Sequence, residues 1–369
     1  MTGSGNRISR RAFLWVSGAA GVLAAQTARN NELASEWKRY ADPSTELTVF
    51  RFTDPSYTSV LPAYYNRAIA RNGASMLFAS DRTGSLQAFR MDLKTGDMRQ
   101  LTEAAGLDAE SLTLTPENRS FCYFAGPSLY TVPLAAPRER ELYRVPEGWE
   151  RCPGMSVGPD GTHAVFAERR GETSRLRMVP LGPGTPRTVF EAHFPIEHPQ
   201  ARPMRAQILY RQADTALWLV NADGQQNRQL KLAPGRIASP RWADDGKTLQ
   251  YLNLPEDARE LHTIHDCTPD TNSDKLVAKT SQFACFTANR DTSVFVGASA
   301  NAGPQFILLL LRVTRRELTL CEHKSSRPES VGPIFSPDSQ RIFFQSDRDG
   351  KNAIYSMRLE RWVEKTDAP

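Results

Sequence analysis

The chain has 369 residues, of which 40% are hydrophobic and 24% charged, with a formal net charge of +5. That length suits one large all-β domain or a few smaller ones, and leaves room for a sizeable core. Arg7, Arg10 and Arg11 lie among the first 28 residues with no acid beside them, so the rest carries only about +2, too little to argue for a nucleic-acid or other polyanion partner.

At the N-terminus, Ser9-Arg10-Arg11-Ala12-Phe13-Leu14 leads into an apolar run to Ala25, with small residues at Ala24 and Ala25. This is the pattern of a twin-arginine signal: a basic start, a short apolar stretch and a cleavable end. The run is too short to cross a bilayer and no later stretch is apolar enough. Residues 1–28 are therefore expected to be removed, leaving a periplasmic or secreted protein with no membrane span. Because that route carries folded proteins, disulfides are not needed for export. Cys122, Cys152, Cys267, Cys285 and Cys321 are odd in number, widely spaced and without a C-x-x-C, which predicts buried free thiols.

Residues 29–43 are polar and end at Asp42-Pro43, which reads as a linker or a short helix leading into the fold. Residues 44–369 are expected to form a single domain. Its first stretch, Glu46 to Phe52 (ELTVFRF), is rich in β-formers but has no hairpin partner nearby.

Beyond it a unit recurs: a turn of Pro, Asn, Asp or Gly, then an apolar strand. Asn72-Gly73 precedes SMLFASDRTG, Pro116-Glu117-Asn118 precedes SFCYFAG, and Pro159-Asp160-Gly161 precedes HAVFAERRG. The same join appears at Arg202-Pro203, Asp244-Asp245-Gly246, Arg290-Asp291 and Pro337-Asp338, with successive marker residues 42 to 47 apart. Further strands follow, such as Gln87 to Leu93 and Leu217 to Asn221, with short outer strands at Met98 to Leu101 and Asn227 to Leu230. Seven such units predict an all-β, seven-bladed propeller. The seventh unit runs short after Leu359, so Glu46 to Phe52 is expected to pair into the last blade and close the ring.

Gly154-Met155-Ser156-Val157-Gly158 spells G-x-S-x-G, but it leads into Pro159-Asp160-Gly161 and another strand, not the helix a nucleophile elbow requires. His262, His265, Asp266 and Cys267 crowd six residues, yet on a strand positions 262 and 265 face opposite sides. Propeller ligand sites gather on the face where each innermost strand begins, around the central channel, and the residues upstream of each first turn are the place to look. The substrate-binding candidates there are Tyr65, Arg151, His198, Arg241 and Arg327, the arginines offering forked donors to carboxylates.

The segment FSPDSQRIFFQSDRDGKNAIY resembles the repeat of TolB-type propellers. A longer likeness, from ELTVFRFTDPS through YYNRAIARNGASMLF, MDLKTGDMRQLTE, LWLVNADG and RWADDGK to SPDSQRIFFQSDRDGKNAIYSM, is to the oligogalacturonate lyases. These are seven-bladed propellers that cleave pectin-derived oligomers by β-elimination with a manganese ion. The resemblance implies a uronate oligosaccharide as partner and, at the family's functional positions, a metal held by three histidines and a glutamine beside a histidine base. At the matching positions stand Ser239 for the base, Cys285, Ser330 and Gly332 for the metal histidines, and Arg327 near the glutamine. Cysteine, serine, glycine and arginine do not rebuild a manganese site of oxygen and imidazole ligands, so no cofactor is expected and no catalytic residue is assigned. The TolB likeness implies instead a non-enzymatic propeller with an envelope protein as partner.

Overall fold

A computed structural model describes residues 1–2, 32–300 and 305–366; the expected signal segment lies almost wholly outside them. Seven antiparallel sheets follow one another around a ring. Each of blades 1 to 6 runs outward from a strand at the axis, the six inner strands being Ser59–Val60, Thr113–Leu114, Glu150–Val157, Glu197–Ala201, Arg236–Trp242 and Phe283–Ala288. Blade 7 starts at Ile334–Phe335 and continues through Arg341–Ser346 and Ala353–Arg358. No helix among the described residues is long and apolar enough to cross a membrane.

The N-terminal segment supplies what blade 7 lacks. Thr48–Arg51 lies beside Ala353–Arg358, with Phe50 opposite Ser356 and Arg51 opposite Tyr355. Within residues 29–43, expected as a linker or a short helix, two stretches are strands: Lys38–Ala41 pairs outside Thr48–Arg51, and Glu32–Leu33 pairs with Met98–Gln100 at the rim of blade 1. Between them Glu36 accepts hydrogen bonds from Arg82 Nη1 (2.8 Å) and the Asp54 N–H (2.8 Å). One segment thus ties the last blade to the first. A Cβ at Gly96 would lie 2.3 Å from Ser35 Oγ and 2.6 Å from Trp37 Nε1, so only glycine lets the segment cross blade 1.

The core is divided among the seams between neighbouring blades. Phe52, Phe343 and Met76 pack between blades 7 and 1, Phe124 and Phe166 between blades 2 and 3, and Leu252 and Phe295 between blades 5 and 6. A blade interior to the ring buries both faces, which is why Ser75–Ser80 (SMLFAS) is buried at every position instead of alternating. The five cysteines are free and buried within these strands. Glu168, fully buried in blade 3, is held by Arg175 (2.8 Å), Arg177 (3.4 Å) and the Tyr143 hydroxyl (2.6 Å), as a buried carboxylate requires.

Candidate functional site

The inner strands surround a channel, and four of them are bulged, the one in blade 6 between Phe283 and Cys285. Register shifts between Arg151 and Met155, Glu197 and Gln200, and Ala238 and Arg241 accompany left-handed backbone at Gly154 (φ 88°), His198 (φ 47°) and Ser239 (φ 49°). Such bulges re-aim the side chains that follow. In blade 1 the strand at the axis is interrupted after Val60, and the chain detours through Tyr64 and Tyr65 before the bridge between Ile69 and Met76.

That detour crosses the channel. The Tyr65 hydroxyl lies 3.2 Å from His198 Nδ1 of blade 4, and the Tyr64 and Tyr65 rings meet edge to face at 5.0 Å. A Cβ on Gly154 would stand 2.5 Å from His198 Cα and 2.7 Å from the Tyr65 hydroxyl oxygen, so glycine is what admits the ladder. Burial pushes both phenols up, and burial together with Arg211 pushes His198 down to about 4. All three rings are therefore uncharged at neutral pH.

The two ends of the channel differ in charge. Where the inner strands begin, Asp108 and Glu110 stand together; burial and Asp108 raise the Glu110 carboxyl. Arg151 is committed there, its Nη2 2.5 Å from Asp108 Oδ2 and its guanidinium 4.8 Å over the Phe124 ring. Where the inner strands run into their first turns, all seven blades line a cavity of about 400 Å³. Its wall includes Arg67, Arg71, Arg241 and Arg290, with Asp244 as its acid, 3.7 Å from Arg290.

The five residues picked from sequence do not converge. Tyr65 and Arg241 line the cavity, His198 meets Tyr65 in the ladder across the channel, and Arg151 belongs to the other end. Arg327 is exposed at the start of the 3-10 turn Pro328–Ser330, its carbonyl accepting from Ser330 Oγ at 2.8 Å. Sequence reasoning missed Arg67 and Arg71, which stand just before the blade 1 turn at Asn72-Gly73; the repeat register placed Arg71 at a channel-facing turn, as it did Arg290 in blade 6.

The positions that would hold a manganese ion do not fit one. The Cys285 thiol donates to the Pro328 carbonyl (3.3 Å) and burial pushes it up to about 12, so it remains protonated. Ser330 is turned onto Arg327, and Gly332 has no side chain. Among the described residues no three His, Cys, Asp or Glu side chains are placed to hold a metal. The histidine-rich segment likewise disperses: His262 Nδ1 meets the Phe283 carbonyl (2.7 Å), while His265 joins Asp274 (3.1 Å) and Thr263 (3.0 Å). Ser156 of the G-x-S-x-G stretch sits in strand Glu150–Val157 and accepts from the Ala201 N–H (3.2 Å), with no helix behind it.

Comparison with known proteins returns the resemblance read from the sequence. A family model described as oligogalacturonate lyase matches residues 27–176. The oligogalacturonide lyase of Pectobacterium atrosepticum and the oligogalacturonate lyase of Dickeya dadantii are each 24% identical over 382 residues, covering 90% of this chain and 98% of theirs. A solved structure of an oligogalacturonate lyase in complex with manganese shares the fold with a TM-score of 0.84 at 24% identity, over 89% of this chain and 97% of that one. The Tol-Pal system protein TolB of Nitratidesulfovibrio vulgaris is 26% identical over 36% of this chain and 29% of its own length.

Proposed function

We propose that this chain, an oligogalacturonate lyase-like seven-bladed propeller, is exported and binds acidic oligosaccharides of the oligogalacturonate kind in its central channel, without manganese-dependent β-elimination. The observation that carries the reading is the surplus of arginine over carboxylate in the channel cavity, Arg67, Arg71, Arg241 and Arg290 against Asp244. Guanidinium groups match carboxylates with paired donors, the recognition a uronate demands.

Elimination from a uronate needs a cation to acidify the proton beside the carboxylate and a base within reach of it. Ser239 stands at the base position and has no basic group. The metal positions hold a protonated thiol, a hydroxyl and a glycine. A shared fold leaves function to the site grafted on it, and here the site retains charge recognition without the eliminating parts. The TolB likeness, confined to 36% of the chain, supports a repeat and not a partner.

Calorimetric titration with digalacturonate and trigalacturonate, alongside ultraviolet absorbance of the unsaturated product, tests the reading. Binding with flat absorbance and no stoichiometric manganese is expected. Accumulating unsaturated product with bound manganese overturns the loss of elimination, and absence of binding overturns the acidic-sugar assignment.

A further inference from the structure

We infer that the ligand's carboxylates enter and are clamped at the turn end of the channel by Arg67, Arg71 and Arg241, whose guanidinium groups do the charge neutralisation a metal would otherwise supply. This deepens the acidic-sugar reading and rests on it.

The donors there are largely unspent. Each guanidinium carries five N–H groups. Among the described residues Arg67 gives one bond, to the Pro116 carbonyl (3.3 Å), and Arg241 one, to Thr287 Oγ1 (2.7 Å). The Arg71 side chain gives none, and its Nε is buried without a partner. Among the described residues none of the three has a carboxylate within ion-pair distance; the acid in the wall, Asp244, lies 3.7 Å from Arg290 and only partly offsets the charge around Arg67. Burying cations together without neutralisation is costly, so the cluster calls for an anion from outside.

The shift on Arg67 agrees with this geometry. Burial, reinforced by the Arg71 charge, pushes it down to about 10, so it is still protonated at neutral pH and repels its neighbour. Two more polar atoms in the cavity wall lack partners, Asn66 Oδ1 and Trp242 Nε1. The wall also carries neutral polar side chains, Thr113, Gln200, Gln250 and Asn289 among them, beside the cationic forks, which suits a ligand bearing both carboxylates and hydroxyls. A volume of about 400 Å³ falls among small-molecule sites.

Entry from the opposite end is disfavoured. Asp108 and Glu110 stand there and Arg151 is spent on Asp108; past them the uncharged Tyr64, Tyr65 and His198 side chains span the channel. The cation beside that ladder, Arg211, donates to the Ala213 and Ile237 carbonyls.

The test titrates digalacturonate into the full chain in buffer with EDTA, comparing Arg71→Gln, Arg67→Gln and Arg241→Gln with Arg151→Gln at the other end. A charged hydrogen bond is worth about 1.5–3 kcal/mol, so each of the first three is expected to weaken binding by about 10- to 100-fold, and Arg151→Gln by less than about twofold. Circular dichroism checks folding, and Arg71→Lys, which keeps the charge but loses the fork, is expected between parent and Arg71→Gln. Binding that survives the three turn-end substitutions but collapses in Arg151→Gln overturns the clamp while leaving acidic-sugar binding standing. Binding that disappears in EDTA overturns the replacement of metal by arginine. If the unsubstituted chain binds no digalacturonate, the acidic-sugar reading falls and the clamp with it.

Discussion

Lowering the pH from 7 to 5 is expected to destabilise the propeller through two buried histidines. His323 Nε2 lies 3.0 Å from the Ser299 carbonyl, and its Nδ1 accepts the Ser325 N–H at 3.1 Å. An Nδ1 that accepts cannot carry a proton, so the ring is held neutral and burial pushes it down to about 4. His198 is pushed down to about 4 as well, by burial and then by Arg211. The unfolded chain binds a proton at each ring near pH 6.5 and the folded chain does not, so stability is complete above pH 6.5 and is lost as pH falls toward 4. Linkage gives about 2 kcal/mol per histidine at pH 5, or about 4 kcal/mol for the pair as an upper figure. Depressed carboxylates such as Asp92, held by the Thr95 and Lys94 N–H groups, titrate below this window, and Glu110, raised by burial and Asp108, acts in the opposite sense. The assay is urea unfolding across pH 5 to 7 in the parent and in a His198→Gln, His323→Gln double variant. Glutamine can still accept the Ser325 N–H while carrying no titration, so the variant is expected to lose most of the pH dependence whatever its absolute stability. A parent equally stable at pH 5 and 7, or a variant that keeps the full drop, refutes the reasoning.

Two substitutions probe the closure and the channel. Phe52 is buried (1% exposed) at the end of the closing strand, against Trp37 at 4.7 Å and Phe343 at 5.7 Å; Phe52→Ala is expected to cost about 3–5 kcal/mol in urea unfolding, and a loss below about 1 kcal/mol contradicts a closing role for that strand. Gly154→Ala forces a side chain into left-handed backbone, about 1–2 kcal/mol by itself, and drives its Cβ against His198 and Tyr65; a total loss of about 2–4 kcal/mol is expected by the same measurement, and a neutral result removes the ladder's dependence on glycine.

Much of the fold was legible because a propeller repeats its chemistry. The turn at Ser336-Pro337-Asp338 and the hairpin at Asp349-Gly350 depend on residues adjacent in the chain, and Pro and Gly announce such turns wherever they occur. The seven-fold period then follows from counting. Glu46 to Phe52 was legible for a different reason: a β-rich run without a local partner must pair elsewhere. The residues before it were misread because Glu32–Leu33 and Lys38–Ala41 are short edge strands, half polar on account of their exposed faces, and polarity alone does not separate such strands from a linker.

The candidate site was legible only in part. Sequence register put all five candidates on the face where the inner strands begin, whereas Tyr65 and Arg241 line the cavity at the turn end. Gly154, His198 and Ser239 carry bulges that turn the residues after them, and a bulge changes direction without changing spacing. The commitment of Arg151 to Asp108 spans 43 residues of chain and the contact of Tyr65 with His198 spans 133; nothing local encodes either. By itself, then, the sequence determined the blade, its number and its kinship, since these rest on short-range turns and period. Tertiary structure alone decided which arginines remain without carboxylates, because charge balance in a channel is set by side chains that seven separate blades bring to one axis.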